Sequence, residues 1–206
     1  MKTVLFILLS FISTTSFGQL SERDSEKADF LIENFRNHTD SSRQLTNSAS
    51  IDYISDSLFK AIILTLGNGD KIVLDIRYKD NSQGYTELGA DFVNYVLIKH
   101  RGQGSENPEQ LRVINKKNGD DKWLGDYPFY LDTKNEIGVY ETLINSFSKI
   151  VIHNFSTDKT EFYPTPDTIC SCCDCFEIIE FNDKFFTVRY SDLENNTTEQ
   201  RIERKE

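Results

Sequence analysis

The chain has 206 residues, 33 acidic against 23 basic side chains and a formal net charge of −10. A surface this acidic repels polyphosphate, and no basic stripe with interleaved aromatics offsets it, so nucleic-acid binding is excluded. The length suffices for one domain with its own core, or a domain with a small appendage.

Residues 1–18, MKTVLFILLSFISTTSFG, have the layout of a secretory signal. Lys2 supplies the positive n-region, Val4 to Ile12 an apolar stretch broken only by Ser10, and Ser16 and Gly18 the small residues before a cleavage at Gln19. The apolar run is shorter than the ~20 residues a membrane span needs. The expectation is therefore an exported chain, periplasmic or secreted, with no transmembrane segment once the signal is removed. Cleavage takes away Lys2 and moves the net charge to −11.

Residues 19–50 are expected to hold a short helix and a polar linker. In SERDSEKADFLIENFRNH (21–38), Leu31 and Phe35 fall four apart, as one helical face requires, and Ser21 or Ser25 can cap the start. TDSSRQLTNSAS (39–50) is polar and turn-rich, and reads as a linker or mobile loop.

From Phe59 the period changes to two. FKAIILTL, GNGD and KIVLDIRY form the strongest hairpin signal in the chain, with Asn68-Gly69 suited to a two-residue type I′ turn. Pairing outward from that turn sets Thr65 opposite Ile72, Ile63 opposite Leu74, Ala61 opposite Ile76 and Phe59 opposite Tyr78. Further strands are predicted at 93–100, 110–115, 128–131, 136–140, 149–155, 160–163, 176–181 and 185–190, with turn signals every 8–12 residues or so. The predicted fold is mainly β: an antiparallel sandwich, barrel or meander with a short N-terminal helix. A single β-rich domain is drawn over 51–206, with a cysteine loop at 170–175.

That loop, CSCCDC, contains every cysteine of the chain: Cys170, Cys172, Cys173 and Cys175. An exported chain meets an oxidising compartment, where an even set of cysteines pairs, so local disulfides are the first reading. Cys170–Cys173 and Cys172–Cys175 avoid the strained bond between neighbours. Loops this short contribute only about 2 kcal/mol before strain is subtracted. The second reading is a tetrathiolate site for Zn or Cu(I), the one cofactor the sequence suggests. The CSCC run resembles a fragment of metallothionein, a family in which such runs wrap metal clusters, and the resemblance covers the six residues CSCCDC. A redox pair is the third reading. Asp174 and Glu177 oppose it by raising a thiol's pKa, and no helix follows.

Trp123, Tyr127, Phe129 and Tyr130 cluster in DKWLGDYPFY, as turn and core packing or as a platform for a glycan or peptide. RGQGSENP (101–108) lacks the Lys-Ser or Lys-Thr and the helix of a phosphate loop. Asp192, Glu194 and Asn196 alternate like calcium ligands without the required glycine and terminal glutamate. His38, His100 and His153 are isolated and read as surface or strand-edge residues. With no nucleophile elbow or zinc-protease motif, the sequence predicts an exported, non-enzymatic β-domain that binds a protein or glycan partner or belongs to the envelope. The alternatives are a thiolate metal-binding protein through CSCCDC and an exported hydrolase of unrecognised type.

Overall fold

Alternating apolar positions and frequent Asx turns give fourteen strands, all antiparallel, among the described residues of the computed structural model. It describes Asp29, Leu31, Glu33 and residues 39–55, 59–78, 84–102, 108–144, 147–166, 176–192, 194 and 196–205. The expected signal segment 1–18 and the cysteine loop 170–175 lie outside the described residues. The chain divides into two compact units, Met1–Ser82 and Gln83–Glu206. This boundary crosses the expected domain over 51–206.

The first unit is a four-stranded meander of β1 (Thr39–Gln44), β2 (Ser50–Ser55), β3 (Phe59–Thr65) and β4 (Lys71–Tyr78). The polar linker expected over 39–50 is corrected. Residues 39–44 pair with β2, and a turn with Asn47 and Ser48 at positive φ joins the two strands. The sequence TDSSRQ hides this because β1 is an edge strand, exposed from Ser41 to Gln44, with no apolar face to alternate. Asp29, Leu31 and Glu33 have helical backbone, and the rest of 21–38 lies outside the described residues. Leu31 is buried with Ile54, Ala61, Ile63 and Val73.

The β3–β4 hairpin keeps two of the expected pairs, Ala61 with Ile76 and Phe59 with Tyr78, and shifts the other two. Its turn is one residue longer than a type I′ turn: Gly69 N donates to Leu66 O (2.9 Å) and Leu66 N to Asp70 O (2.8 Å). Only Gly69 takes a positive φ, 91°, as in a type I turn closed by a left-handed glycine. Leu64 therefore faces Ile72 and Ile63 faces Val73, and a bulge between Ile62 and Ile63 restores the register below.

The second unit opens with a seven-stranded meander: β5 (Tyr85–Asp91), β6 (Tyr95–Arg101), β7 (Glu109–Asn115), β8 (Asp121–Asp132), β9 (Ile137–Ile144), β10 (Phe147–Asn154) and β11 (Lys159–Pro164). A three-stranded meander follows: β12 (Phe176–Phe181), β13 (Phe185–Ser191) and β14 (Thr197–Glu203). The larger sheet folds back on itself at β8. One core joins Ala90, Leu97, Leu111 and Val113 of β5–β7 to Tyr140 of β9 and Val151 of β10. A second core joins Ile137, Val139, Ile150 and Ile152 of β9–β10 to Phe186 and Val188 of β13.

Alternate residues of β9 and β10 thus enter different cores, and these strands form the middle of three layers. Their sequences IGVY and KIVIH carry almost unbroken apolar runs because both faces are covered. Each layer contact is sheet on sheet, and the turn between the first two layers is made by β8, which bends at bulges.

Candidate functional site

β8 is the corner, and its sequence explains the bend. Its first half pairs with β7, ending at Gln110–Asp126, and its second half pairs with β9 from Tyr130 to Asp132. Between Asp126 and Tyr130 the register with β9 slips by two residues. Pro128, which has no amide to donate, sits in that slip. Tyr127 is held there at φ 47°, a left-handed conformation that a bulky residue adopts at a cost of about 1 kcal/mol or more. Gly125 lies tight against β9: a Cβ there would stand 2.0 Å from Glu141 O.

The four aromatic residues of this strand go to three places. Trp123 meets His100 edge-on (5.8 Å, 64°), with the Arg112 guanidinium 5.9 Å from its ring centre. Arg112 in turn is buried and paired with Asp121, its Nε donating at 2.6 Å. Tyr127 and Phe129 lie nearly parallel to each other, 6.3 Å apart at 19°, and both are half-buried. Tyr130 stacks on Phe181 of β12 (5.0 Å, 25°) and joins the second core. Burial, and then Asp132, push the Tyr130 phenol above its ordinary pKa.

The corner also makes a carboxylate pair that the sequence does not reveal. Asp126 and Glu141 are directly opposite on β8 and β9. Burial and then the Asp126 charge push the Glu141 carboxyl above the usual glutamate value. Ser148 donates its hydroxyl to Glu141, and Gln110 Nε2 donates to Asp126 Oδ1 at 3.4 Å. Like charges facing each other across strands destabilise a sheet by up to about 1 kcal/mol. Strained backbone and an unfavourable charge pair thus fall in the consecutive residues Asp126 and Tyr127.

This yields a test. A carboxyl with a raised folded pKa contributes stability below its unfolded pKa and loses that contribution as pH rises through the folded value. Glu141→Gln should therefore stabilise the protein by about 0.5 kcal/mol at pH 7, and the gain should vanish below pH 4.5. Urea unfolding at both pH values reads this out. A destabilised variant at pH 7 would mean that the charge of Glu141 is compensated.

Two histidines form matched cross-strand pairs with threonine: His100 Nδ1 lies 2.8 Å from Thr86 Oγ1, and His153 Nδ1 lies 2.9 Å from Thr160 Oγ1. The surface placement expected of His153 is corrected. It is 9% exposed, on an interior strand whose end is capped by Phe155. His38 lies outside the described residues. Asp192 closes its own turn, accepting from Glu194 N and Asn196 N at 2.9 Å. Among the described residues no group of three or more His, Cys, Asp and Glu is placed to hold a metal ion. Cys170, Cys172, Cys173 and Cys175 belong to the connection between β11 and β12, outside those residues.

Comparison with protein-family models, with curated proteins and with solved structures finds no match to this chain.

Proposed function

We propose that this chain is an exported, non-enzymatic β-rich domain, periplasmic or secreted, that binds a protein or glycan partner through the corner of β8. The observation that carries the reading is the corner's cost: Tyr127 at φ 47° beside the opposed carboxylates Asp126 and Glu141. The half-buried rings of Tyr127 and Phe129 offer a flat apolar contact, and the adjoining carboxylates accept hydrogen bonds from hydroxyl or amide donors. Export rests on residues 1–18.

The experiment is a binding screen of the mature protein against polysaccharides and purified envelope proteins, each incubation also assayed for cleavage products. The reading requires an unmodified partner whose affinity falls at least tenfold in the Tyr127→Ala, Phe129→Ala double variant and not in Arg189→Gln, on the exposed β13 surface. The hydrolase alternative draws on one observation, the raised Glu141 carboxyl with a second carboxylate, Asp126, opposite it, since acid–base chemistry uses paired carboxyl groups. Turnover abolished by Glu141→Gln would replace the binding reading with that one. For CSCCDC, free-thiol counting and metal analysis of protein purified without reductant or chelator separate disulfides from a Zn or Cu(I) thiolate site.

A further inference from the structure

One end of the second unit is closed by three turns: 92–94 between β5 and β6, 133–136 between β8 and β9, and 155–158 between β10 and β11. Glu136 joins the other two. Its carbonyl accepts from Phe155 N (2.8 Å), and its carboxylate accepts from Val93 N (2.5 Å). The Phe155 ring completes the closure, 5.1 Å from Phe92 and 5.5 Å from Tyr95. Under Phe155, at 4.3 Å, lies the imidazole of His153.

That imidazole is satisfied as a neutral ring. The Thr160 hydroxyl, 2.9 Å away, can donate to Nδ1, which leaves Nε2–H facing Asp158 Oδ1 at 3.5 Å. A second proton meets opposition. The ring is buried against an aromatic side chain, and Lys122 of β8 adds a like charge. Asp158 favours the proton, but it is 90% exposed and Lys122 is exposed too, so water weakens both and burial dominates. The other charged groups of the closure are Glu136, which acts through Phe155, the exposed Lys134, and the buried Lys116, which pairs with Asp91 and donates to Phe92 O at 2.7 Å.

We propose that His153 is an acid-sensitive pin: its protonation releases the 155–158 turn from the 92–94 turn and loosens the end where the β5–β7 layer meets β9–β10. The closed end holds the ring neutral. An end with Phe155 swung outward hydrates the ring and binds the proton more readily, so falling pH favours opening by linkage. Burial first, outweighing the opposing pull of Asp158 and helped by Lys122, places the closed-state pKa of His153 below 6.5. The response therefore begins near pH 6.5 and is complete once the closed form itself titrates. Within that window the ratio of open to closed forms changes by up to about tenfold per pH unit. The device is independent of the β8 corner and of what that corner binds.

The test is amide hydrogen exchange by NMR on the mature protein between pH 7.5 and 5.5, read as protection factors, together with titration of the His153 ring. Protection of the Val93 and Phe155 amides should fall by up to about tenfold per pH unit below pH 6.5, while that of Val139 in the middle layer holds. His153→Gln should flatten the response. Lys122→Gln should move its midpoint up, and Asp158→Asn should move it down. Both of these residues are exposed, so they carry the test if the His153 variant does not fold. Unchanged protection across the range overturns the proposal, as does a response that persists in His153→Gln or midpoints that ignore Lys122 and Asp158.

Discussion

Gly125→Ala is expected to destabilise the second unit by about 3 kcal/mol or more, lowering its melting temperature by on the order of 10 °C. The added methyl would stand 2.0 Å from Glu141 O and 2.8 Å from Tyr140 Cδ2. The first is backbone in the middle layer, paired on its other side with β10, and it has nowhere to go. Tyr140 is itself packed in the core between layers. Gly69→Ala is the matched comparison. Its methyl meets nothing within 4 Å, but the residue sits at φ 91°, so the cost is conformational alone, about 1 kcal/mol. Thermal unfolding of both variants decides the point. If Gly125→Ala costs no more than Gly69→Ala, β8 can move away from β9 and the corner is not rigid.

Arg204→Met is expected to cost about 3 kcal/mol, since it strands a buried carboxylate. Arg204 donates to Glu161 from Nη2 (2.6 Å) and Nε (3.3 Å), with side chains only 11% and 6% exposed. Tyr163 donates its hydroxyl to the same carboxylate at 2.6 Å, and Arg204 Nη1 reaches Asn182 O at 3.1 Å. The network fastens the three-stranded sheet to β11. Burial alone would push Glu161 up, but hydrogen bonds from Arg204 and Tyr163 outweigh it and hold the carboxyl below 4.5. A depressed carboxyl pKa contributes stability that is complete above the unfolded value and lost as pH falls through the folded one. Wild-type stability should therefore decline below pH 4.5, and Arg204→Met should flatten part of that decline. Urea unfolding by circular dichroism gives both numbers. A double-mutant cycle with Glu161→Gln isolates the pair, and additive losses would show that the two groups do not interact.

Most strands were legible from the sequence, and the exceptions have physical reasons. β3, β4, β9, β10, β12 and β13 announce themselves by apolar residues that enter a core. Four strands were not predicted. β14, TTEQRIE, β1, TDSSRQ, and β5, YTELGAD, are edge strands with many polar side chains. β2, SIDYIS, is an interior strand whose two buried isoleucines, Ile51 and Ile54, are three apart and so break the period of two. The Asn68-Gly69 turn was legible as a turn, but its length depends on a bulge at Ile62–Ile63 whose only sequence trace is a run of equally apolar residues. The candidate site was less legible. Trp123, Tyr127, Phe129 and Tyr130 are neighbours in the chain, and two bulges in β8 send them to three environments. The Asp126–Glu141 pair depends on the same slip, which a count of residues outward from the β8–β9 turn misplaces. His153 looked like a lone histidine because Phe92 and Tyr95, which complete its cover through Phe155, lie some sixty residues earlier.

Strand order in all three sheets follows chain order, so every strand finds its hydrogen-bonding partner in the next or the previous segment. The consequence is kinetic. Hairpins closed by short turns zip within about 1–10 μs, and each new strand can add to the one just laid down. What remains slow is the stacking of layers, since β5–β7 meet β9–β10 only after the β8 corner has formed. β9 and β10 must therefore expose one apolar face until a second sheet arrives. A chain delivered end-first would reach that stage before β12–β14 exist, and the interval until they arrive is when it is most prone to self-association.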